Sequence, residues 1–286
     1  MPSYYGWPTP QPQTTPQDYQ PPPTVYADTI FSALQALNID QADIAAVLES
    51  SGDILLNYSK RTQQIVVSRE FRAWSSSPNS CELLIQGYPA RDSTQAARAM
   101  ALISASLMES LRNRGHFISL VFFCGKHTEP EDTQDASIGP SAILRSFITQ
   151  LLQQHYATSV FREQDIDFKG LNERDIHALC RMLDWLVRQL PQEKTLVCVI
   201  DAVNAYETDE WEEELTALLR FLLGLARDKS LPPAFKLLVT SPTGTLDIHQ
   251  EFGDEDGNIL YIESLQSAGE EAGLWELADG SSEDDE

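Results

Sequence analysis

The chain has 286 residues, a formal net charge of −23 and 42% hydrophobic residues, so it can bury a substantial core. So negative a chain repels phosphate backbones and anionic lipid headgroups, which excludes nucleic acid and membrane surfaces as expected partners. We expect protein partners instead. The four cysteines lie among apolar residues and the first residues do not read as a signal peptide, which indicates a cytoplasmic protein. A nuclear location and the oligomeric state stay open.

The first part of the chain divides into a tail and a helical lead-in. Residues 1–26 are rich in Pro, Gln, Thr and Tyr, which predicts a disordered tail, either solvated or a ligand for a proline-recognising domain. Residues 27–74 are the lead-in. Apolar residues at helical spacing over 27–50 predict two short helices that are broken near 38–40, with Asp40 as an N-cap.

Residues 75–266 alternate between apolar strands and amphipathic helices. Strands are predicted at 83–87, 117–124, 195–200, 235–240 and 259–262, with helices between them. Because most of these strands are almost entirely apolar, the pattern predicts an α/β fold, a three-layer sandwich around a mainly parallel five-stranded sheet. Residues 267–286 are acidic and predict a second disordered tail.

A loop between the first of these strands and the following helix has the layout of a phosphate-binding P-loop, GxxxxGK[ST]. Gly87 matches its first position and Thr94 its last, which is the hydroxyl that binds Mg²⁺. Asp92 replaces the second glycine and puts a carboxylate where a phosphate would lie. Ser93 replaces the lysine and supplies no cation.

A second motif follows in the expected order. Residues 196–201 form an apolar strand that ends in Asp201, as in a Walker B strand, whose carboxylate holds Mg²⁺ through water. Together the two motifs predict a degenerate nucleotide site of Gly87, Ser93, Thr94 and Asp201. Phe71 and Trp74, just before the first strand, either cover a bound base or pack in the core.

Two Cys/His pairs offer a competing interpretation. Cys124 and His127 are three residues apart, as are His177 and Cys180, and four such ligands could hold zinc. The pairs lie on different predicted elements and Cys124 closes an apolar strand, so we predict packed thiols and no metal site. No Ser/His/Asp set is apparent.

Residues from about 74 to 265 resemble the STAND-class, NACHT-like P-loop domains that are abundant in fungi. The resemblance rests on the first strand with its loop and on residues 122–127, 198–203 and 235–242. It implies a P-loop NTPase-like fold.

The family's functional positions are degraded in this chain. Such domains place an acidic pair shortly after the Walker B aspartate, where this chain has Asn204 and Ala205, with Glu207 as a stand-in two residues further on. They end the fourth strand in Thr-Ser-Arg, where this chain has Pro242 in place of the arginine. The lysine, the catalytic acid and the phosphate-sensing arginine are therefore all absent.

These losses predict a pseudoenzyme. Losing one such group commonly costs ~10²- to 10³-fold in rate, so losing several should leave no useful hydrolysis. We expect a catalytically inactive domain that acts as an intracellular interaction or regulatory scaffold and needs no cofactor. The alternative is a switch that binds ATP or ADP weakly with Mg²⁺ and hydrolyses little or none of it.

Overall fold

The computed structural model describes residues 22–35, 38–50, 55–87, 93–128, 137–245, 247–253 and 257–265. Within these ranges the strands are β1 (Thr24–Tyr26), β2 (Cys81–Gln86), β3 (Phe117–Phe123), β4 (Val160–Arg162), β5 (Thr195–Asp201), β6 (Ala234–Ser241) and β7 (Ile259–Tyr261). The helices are α1 (Ala27–Leu34), α2 (Ile39–Ser50), α3 (Leu55–Val67), α4 (Arg69–Ser76), α5 (Ser93–Arg112), α6 (Pro140–His155), α7 (Phe168–Asn172), α8 (Ile176–Arg188), α9 (Glu212–Arg227) and α10 (Asp247–Phe252).

Five strands form one parallel sheet in the order β3-β5-β6-β2-β7. The central strands are almost wholly buried, as their apolar sequences predict for parallel strands that are covered on both faces. Because all five strands run in the same direction, their carboxyl ends meet at one edge of the sheet, where ligands of such folds bind.

Helices cover both faces, which confirms the predicted three-layer α/β sandwich. One face packs against α1, α6, α8, α9 and α10, through a large apolar core centred on side chains such as Leu120, Cys198 and Leu237. The other face packs against α2, α3, α4 and α5, through a smaller core that includes Leu83, Val199 and Leu238. Within the described ranges, no helix is both long enough and apolar enough to cross a bilayer.

The predicted lead-in is part of this sandwich. Its first helix, α1, lies on one face of the sheet, while α2 to α4 lie on the other. The side chains of Phe71 and Trp74 are buried in the second core. The Trp74 indole N–H donates to the Leu237 carbonyl at 3.1 Å, and the buried Lys236 ammonium donates to the Trp74 carbonyl at 2.9 Å. Of the two roles considered for these aromatic residues, the structure therefore supports core packing.

A short antiparallel ribbon of β1 and β4 lies apart from the main sheet. Val25 pairs with the buried Phe161 and packs against the first core, which ties the start of the chain to the domain. The tail predicted over 1–26 therefore ends earlier, because residues 24–26 form β1. Residues 1–21 and the tail predicted from 267 lie outside the described residues.

Candidate functional site

Gly87, the first residue of the predicted P-loop, lies directly after β2 and is buried. Its N–H donates to the Ser241 carbonyl at 2.8 Å. A Cβ added at this position would lie 2.9 Å from the Pro242 carbonyl carbon, which is closer than backbone atoms tolerate. Glycine is thus required here by the close approach of the chain that follows β6. The replacement of the family's arginine by Pro242 falls at this same contact.

The rest of the loop is only partly described. Residues 88–92, with Asp92, lie outside the described residues. Ser93 begins α5, although its side chain is not among those described. Thr94 lies in the first turn of α5 and its side chain is exposed to solvent.

Asp201 ends β5 as predicted, and its side chain is 4% exposed. Its Oδ1 accepts hydrogen bonds from the hydroxyl of Thr240 at 2.8 Å and from that of Ser104 at 3.2 Å. Burial raises the pKa of Asp201 to about 6, while these two hydrogen bonds act in the opposite direction. The carboxyl group is therefore enclosed by neutral hydroxyls on neighbouring elements.

The backbone after Asp201 turns sharply. Ala202 has a φ of +55°, in the left-handed region that non-glycine residues rarely adopt. Its N–H donates to the Thr240 hydroxyl at 3.0 Å, so one threonine links Asp201 to the turn. Such strained positions concentrate at functional sites, and this one lies at the edge where the strand ends meet.

The structure does not bring Asp201 and Thr94 together. Asp201 contacts Ser104, which follows Thr94 by ten residues of α5, or about 15 Å of helix axis. Magnesium ligands lie about 2.1 Å from the ion, so one Mg²⁺ does not reach both side chains in this arrangement, even when a water molecule joins the ion to Asp201. Residues 88–92 lie outside the described residues, so the assignment of Gly87, Ser93, Thr94 and Asp201 to a degenerate nucleotide site stays a prediction.

Neither Asn204 nor Glu207 presents a free carboxylate near Asp201: Asn204 is neutral, and Glu207 makes a hydrogen bond to another element. Asn204 has a buried side-chain oxygen without a hydrogen-bond partner among the described residues. Glu207, the predicted stand-in, accepts from the Ile248 N–H at 3.4 Å and so contacts the first turn of α10. Its role as a stand-in acid stays a prediction.

A cleft of about 230 Å³ opens beside Asp201, between α2, α5 and the carboxyl ends of β3 and β5. We call it the α2–α5 cleft. Its walls are largely apolar, and its lining includes two cations, Arg98 and Lys126, as well as the Asp201 carboxyl group. The apolar side chains include Val47, Ala101 and Phe123.

The cysteines and histidines pack or pair in other ways. Cys124 is fully buried, and burial raises the pKa of its thiol well above the ordinary value. His127 lies 2.8 Å from the Asp43 carboxylate, while His177 is exposed on α8. In the part of the chain that the structure describes, no three His, Cys, Asp or Glu side chains are grouped as metal ligands would be.

Sequence reasoning missed Ser104, although a signal for it was present. Ser104 is fully buried on the apolar side of α5, between Met100 and Met108 at helical spacing. A hydroxyl in such a stripe needs a buried partner, which here is Asp201. Lys126 was also missed, because nothing in the sequence shows that the turn after β3 faces α5.

The parallel sheet, the helix α5 that follows β2 in the chain and the aspartate that ends β5 define a P-loop NTPase-like α/β domain. Residues 61–241 match the model of the family described as Nephrocystin 3, N-terminal, and the chain belongs to this family. The predicted P-loop NTPase-like fold is confirmed. The narrower assignment to a fungal STAND class stays a prediction.

Curated proteins and solved structures were compared with the chain as well. No curated protein matches the chain. One similar solved structure is described as "Structure of Drosophila ORC bound to AT-rich DNA and Cdc6", with 12% sequence identity and a TM-score of 0.40. The similarity covers 89% of this chain and 36% of that one, so the chain spans about a third of the solved chain.

Proposed function

We propose that this chain is a catalytically inactive P-loop-like domain that serves as a protein interaction or regulatory scaffold. Its partners are proteins rather than nucleic acids or membranes, in keeping with the net charge of −23. It needs no bound cofactor for this role.

One observation carries the proposal, namely the surroundings of Asp201. In an active domain this carboxylate acts near the phosphate-binding turn. Here it bonds to Ser104 and Thr240 inside the protein, roughly three helical turns of α5 away from Thr94. A carboxyl group that is buried and bonded in this way contributes to packing between β5, β6 and α5 instead of positioning a metal ion.

The replaced side chains support the same conclusion. Ser93 cannot supply the charge of a lysine, Asn204 cannot activate water as a carboxylate does, and Pro242 has no guanidinium group. Hydrolysis depends on stabilising phosphate charge and on positioning water, and each of these losses removes one contribution.

The second candidate function is a switch that binds ATP or ADP with Mg²⁺ and hydrolyses it slowly or not at all. It is favoured by the exposed Thr94 in the first turn of the 20-residue helix α5, because a helix N-terminus attracts phosphate. The two candidates differ in whether Thr94 contributes to affinity.

The test is an ATP turnover assay on four proteins: the full chain, Thr94→Ala, Asp201→Asn, and a double variant, Asp92→Gly with Ser93→Lys. We expect no magnesium-dependent turnover by the full chain or by Thr94→Ala. The double variant restores the motif and should bind ATP under either candidate. It therefore serves as the positive control when ATP binding is measured by calorimetric titration, which distinguishes the two candidates by the effect of Thr94→Ala on affinity. Turnover by the parent chain that disappears in Asp201→Asn would overturn the proposal.

A further inference from the structure

The α2–α5 cleft is large and apolar enough to bind an aromatic side chain. A dry cavity of about 150 Å³ with apolar walls accommodates benzene, so a cleft of about 230 Å³ accommodates a larger ring. Val47, Ala101 and Phe123 contribute apolar atoms to its walls. A concave apolar site with a few polar groups is the usual form of a binding pocket.

The charge of the cleft differs from that of the protein as a whole. The chain has 43 acidic and only 20 basic residues, yet this cleft is lined by two exposed cations, Arg98 and Lys126, and by one carboxyl group, that of Asp201. The expected occupant is therefore an aromatic or aliphatic group flanked by acidic residues, since complementary charge favours docking.

The chain itself contains such a segment. Residues 270–279 read Glu-Glu-Ala-Gly-Leu-Trp-Glu-Leu-Ala-Asp, which places Leu274, Trp275 and Leu277 among four carboxylates. No Lys or Arg follows Lys236, so nothing in this part of the sequence competes for those acids.

The segment can reach the cleft. Leu265 is the last described residue, and it packs against the core on the face of the sheet that carries α5 and the cleft. β7, which precedes Leu265, is parallel to β2 and so ends at the edge where the cleft opens. Crossing from β7 to β3 takes four strand spacings, or about 19 Å. The ten residues from Leu265 to Trp275 span up to about 33 Å.

We propose that the α2–α5 cleft binds residues 270–279 of the same chain, with the Trp275 indole in the apolar cavity and the flanking carboxylates beside Lys126 and Arg98. The cleft is then an intramolecular docking site. A protein partner that displaces residues 270–279 gains access to the cleft and to the displaced segment. This inference does not depend on whether the domain binds nucleotide.

The experiment is ¹⁹F NMR of the full chain labelled with 5-fluorotryptophan, without nucleotide. Trp275→Phe assigns the Trp275 resonance, and a synthetic peptide of residues 266–286 gives its position in free solution. We expect the resonance in the full chain to lie away from the free position and not to move on dilution. It should return to the free position in Ala101→Phe, which fills the cavity, and in Lys126→Glu, which reverses the charge.

Two matched variants control for these changes. Ala73→Phe alters an exposed alanine of α4, and Lys229→Glu alters an exposed lysine, both outside the cleft lining. Neither should move the Trp275 resonance. If Ala101→Phe fails to fold, as judged by circular dichroism, Lys126→Glu decides alone.

Three results would overturn the inference. The Trp275 resonance could coincide with that of the free peptide in the parent chain. It could be displaced but insensitive to the cleft variants, which would locate the segment elsewhere. It could move with protein concentration, which would mean that a second copy supplies the segment.

Discussion

Asp201 ends β5, where the sequence predicts a Walker B aspartate, and its side chain is enclosed by the protein. Its carboxyl group accepts from two hydroxyls and is 4% exposed. Raising its pKa from 3.8 to about 6 disfavours the folded state by roughly 3 kcal/mol once the group is ionised. The charge of Asp201 therefore destabilises the fold at neutral pH.

This reasoning predicts that Asp201→Asn stabilises the protein at pH 7.5, by about 1 to 3 kcal/mol, because the amide oxygen can accept the same hydrogen bonds without a charge. The stabilisation should shrink as the pH falls from about 6 and vanish below about 4, where the unfolded chain is protonated as well. Urea unfolding across this pH range measures it.

Asp228, whose pKa is lowered where that of Asp201 is raised, serves as the control. Hydrogen bonds from Ser230 and Arg188 lower the pKa of Asp228 to about 2. Asp228→Asn should therefore lower stability at neutral pH, with the difference lost only as the pH approaches 2. If Asp201→Asn also destabilised the protein at pH 7.5, the ionised Asp201 would have a favourable partner and our account of it would be wrong.

Gly87, the glycine that matches the first position of the P-loop pattern, is required by its close contact with the Pro242 backbone. Gly87→Ala introduces a Cβ against the Pro242 backbone and should destabilise the protein by about 1 to 3 kcal/mol or more. Gly224→Ala is the matched control, since Gly224 lies in α9 with open space around it and alanine favours helix by up to about 1 kcal/mol. Thermal unfolding of both variants distinguishes them, and equal melting temperatures would contradict the packing we describe.

At the residue scale the sequence predicted Asp201 well and its partners poorly. An apolar strand that ends in aspartate is visible in the sequence, and the predicted position of Asp201 at the end of β5 was correct. The predicted N-cap at Asp40 was wrong, because α2 begins at Ile39 and Asp40 pairs with Arg112 of α5. Contacts between residues 72 positions apart depend on how helices pack, which local sequence does not specify.

At the scale of elements, α6 protects an edge of the sheet. The Gln150 side chain donates to the Val121 carbonyl at 2.8 Å and accepts from its N–H at 3.0 Å, which occupies both backbone groups. Gln154, one turn later, makes the same pair of bonds with Ser119. The two glutamine side chains thus make the backbone hydrogen bonds that a neighbouring strand would make with the edge strand β3. Exposed strand edges that lack such protection promote aggregation.

Gln150→Leu tests this arrangement. It leaves the buried N–H and carbonyl of Val121 unpaired, which should cost about 2 to 5 kcal/mol and increase aggregation on heating. Gln153→Leu, on the exposed side of the same helix, should change stability far less. Chemical unfolding measures the change in stability and light scattering measures aggregation. Equal stability and equal aggregation of the two variants would show that α6 does not protect the edge as described.

The sequence predicted the five sheet strands and most of the helices because most of these elements carry a long apolar pattern. It missed the β1–β4 ribbon, whose strands have three residues each and no periodicity to read. Within the helical lead-in it defined no element over residues 55–74, since their one short apolar run, at 65–67, does not establish a helical period, yet α3 and α4 lie there. For α3, packing against α5 provides what the local pattern lacks.

At the scale of the whole molecule, the lead-in and the P-loop-like domain form one packed unit. Leu34 and Gln35, where α1 ends, accept through their carbonyls from the buried Arg145 guanidinium of α6, which holds α1 against the sandwich. The predicted boundary at 74/75 reflects a change in sequence pattern rather than a gap between domains. This integration could not be predicted, because an amphipathic helix does not reveal which surface covers it.

The most direct test of the central claim is calorimetric titration of the full chain with ATP and with ADP in the presence of Mg²⁺. Our account predicts no detectable heat and no thermal stabilisation, because Asp201 is bonded within the fold and Ser93 supplies no charge for phosphate. Micromolar binding that weakens in Thr94→Ala would contradict it and would establish a nucleotide-binding switch instead.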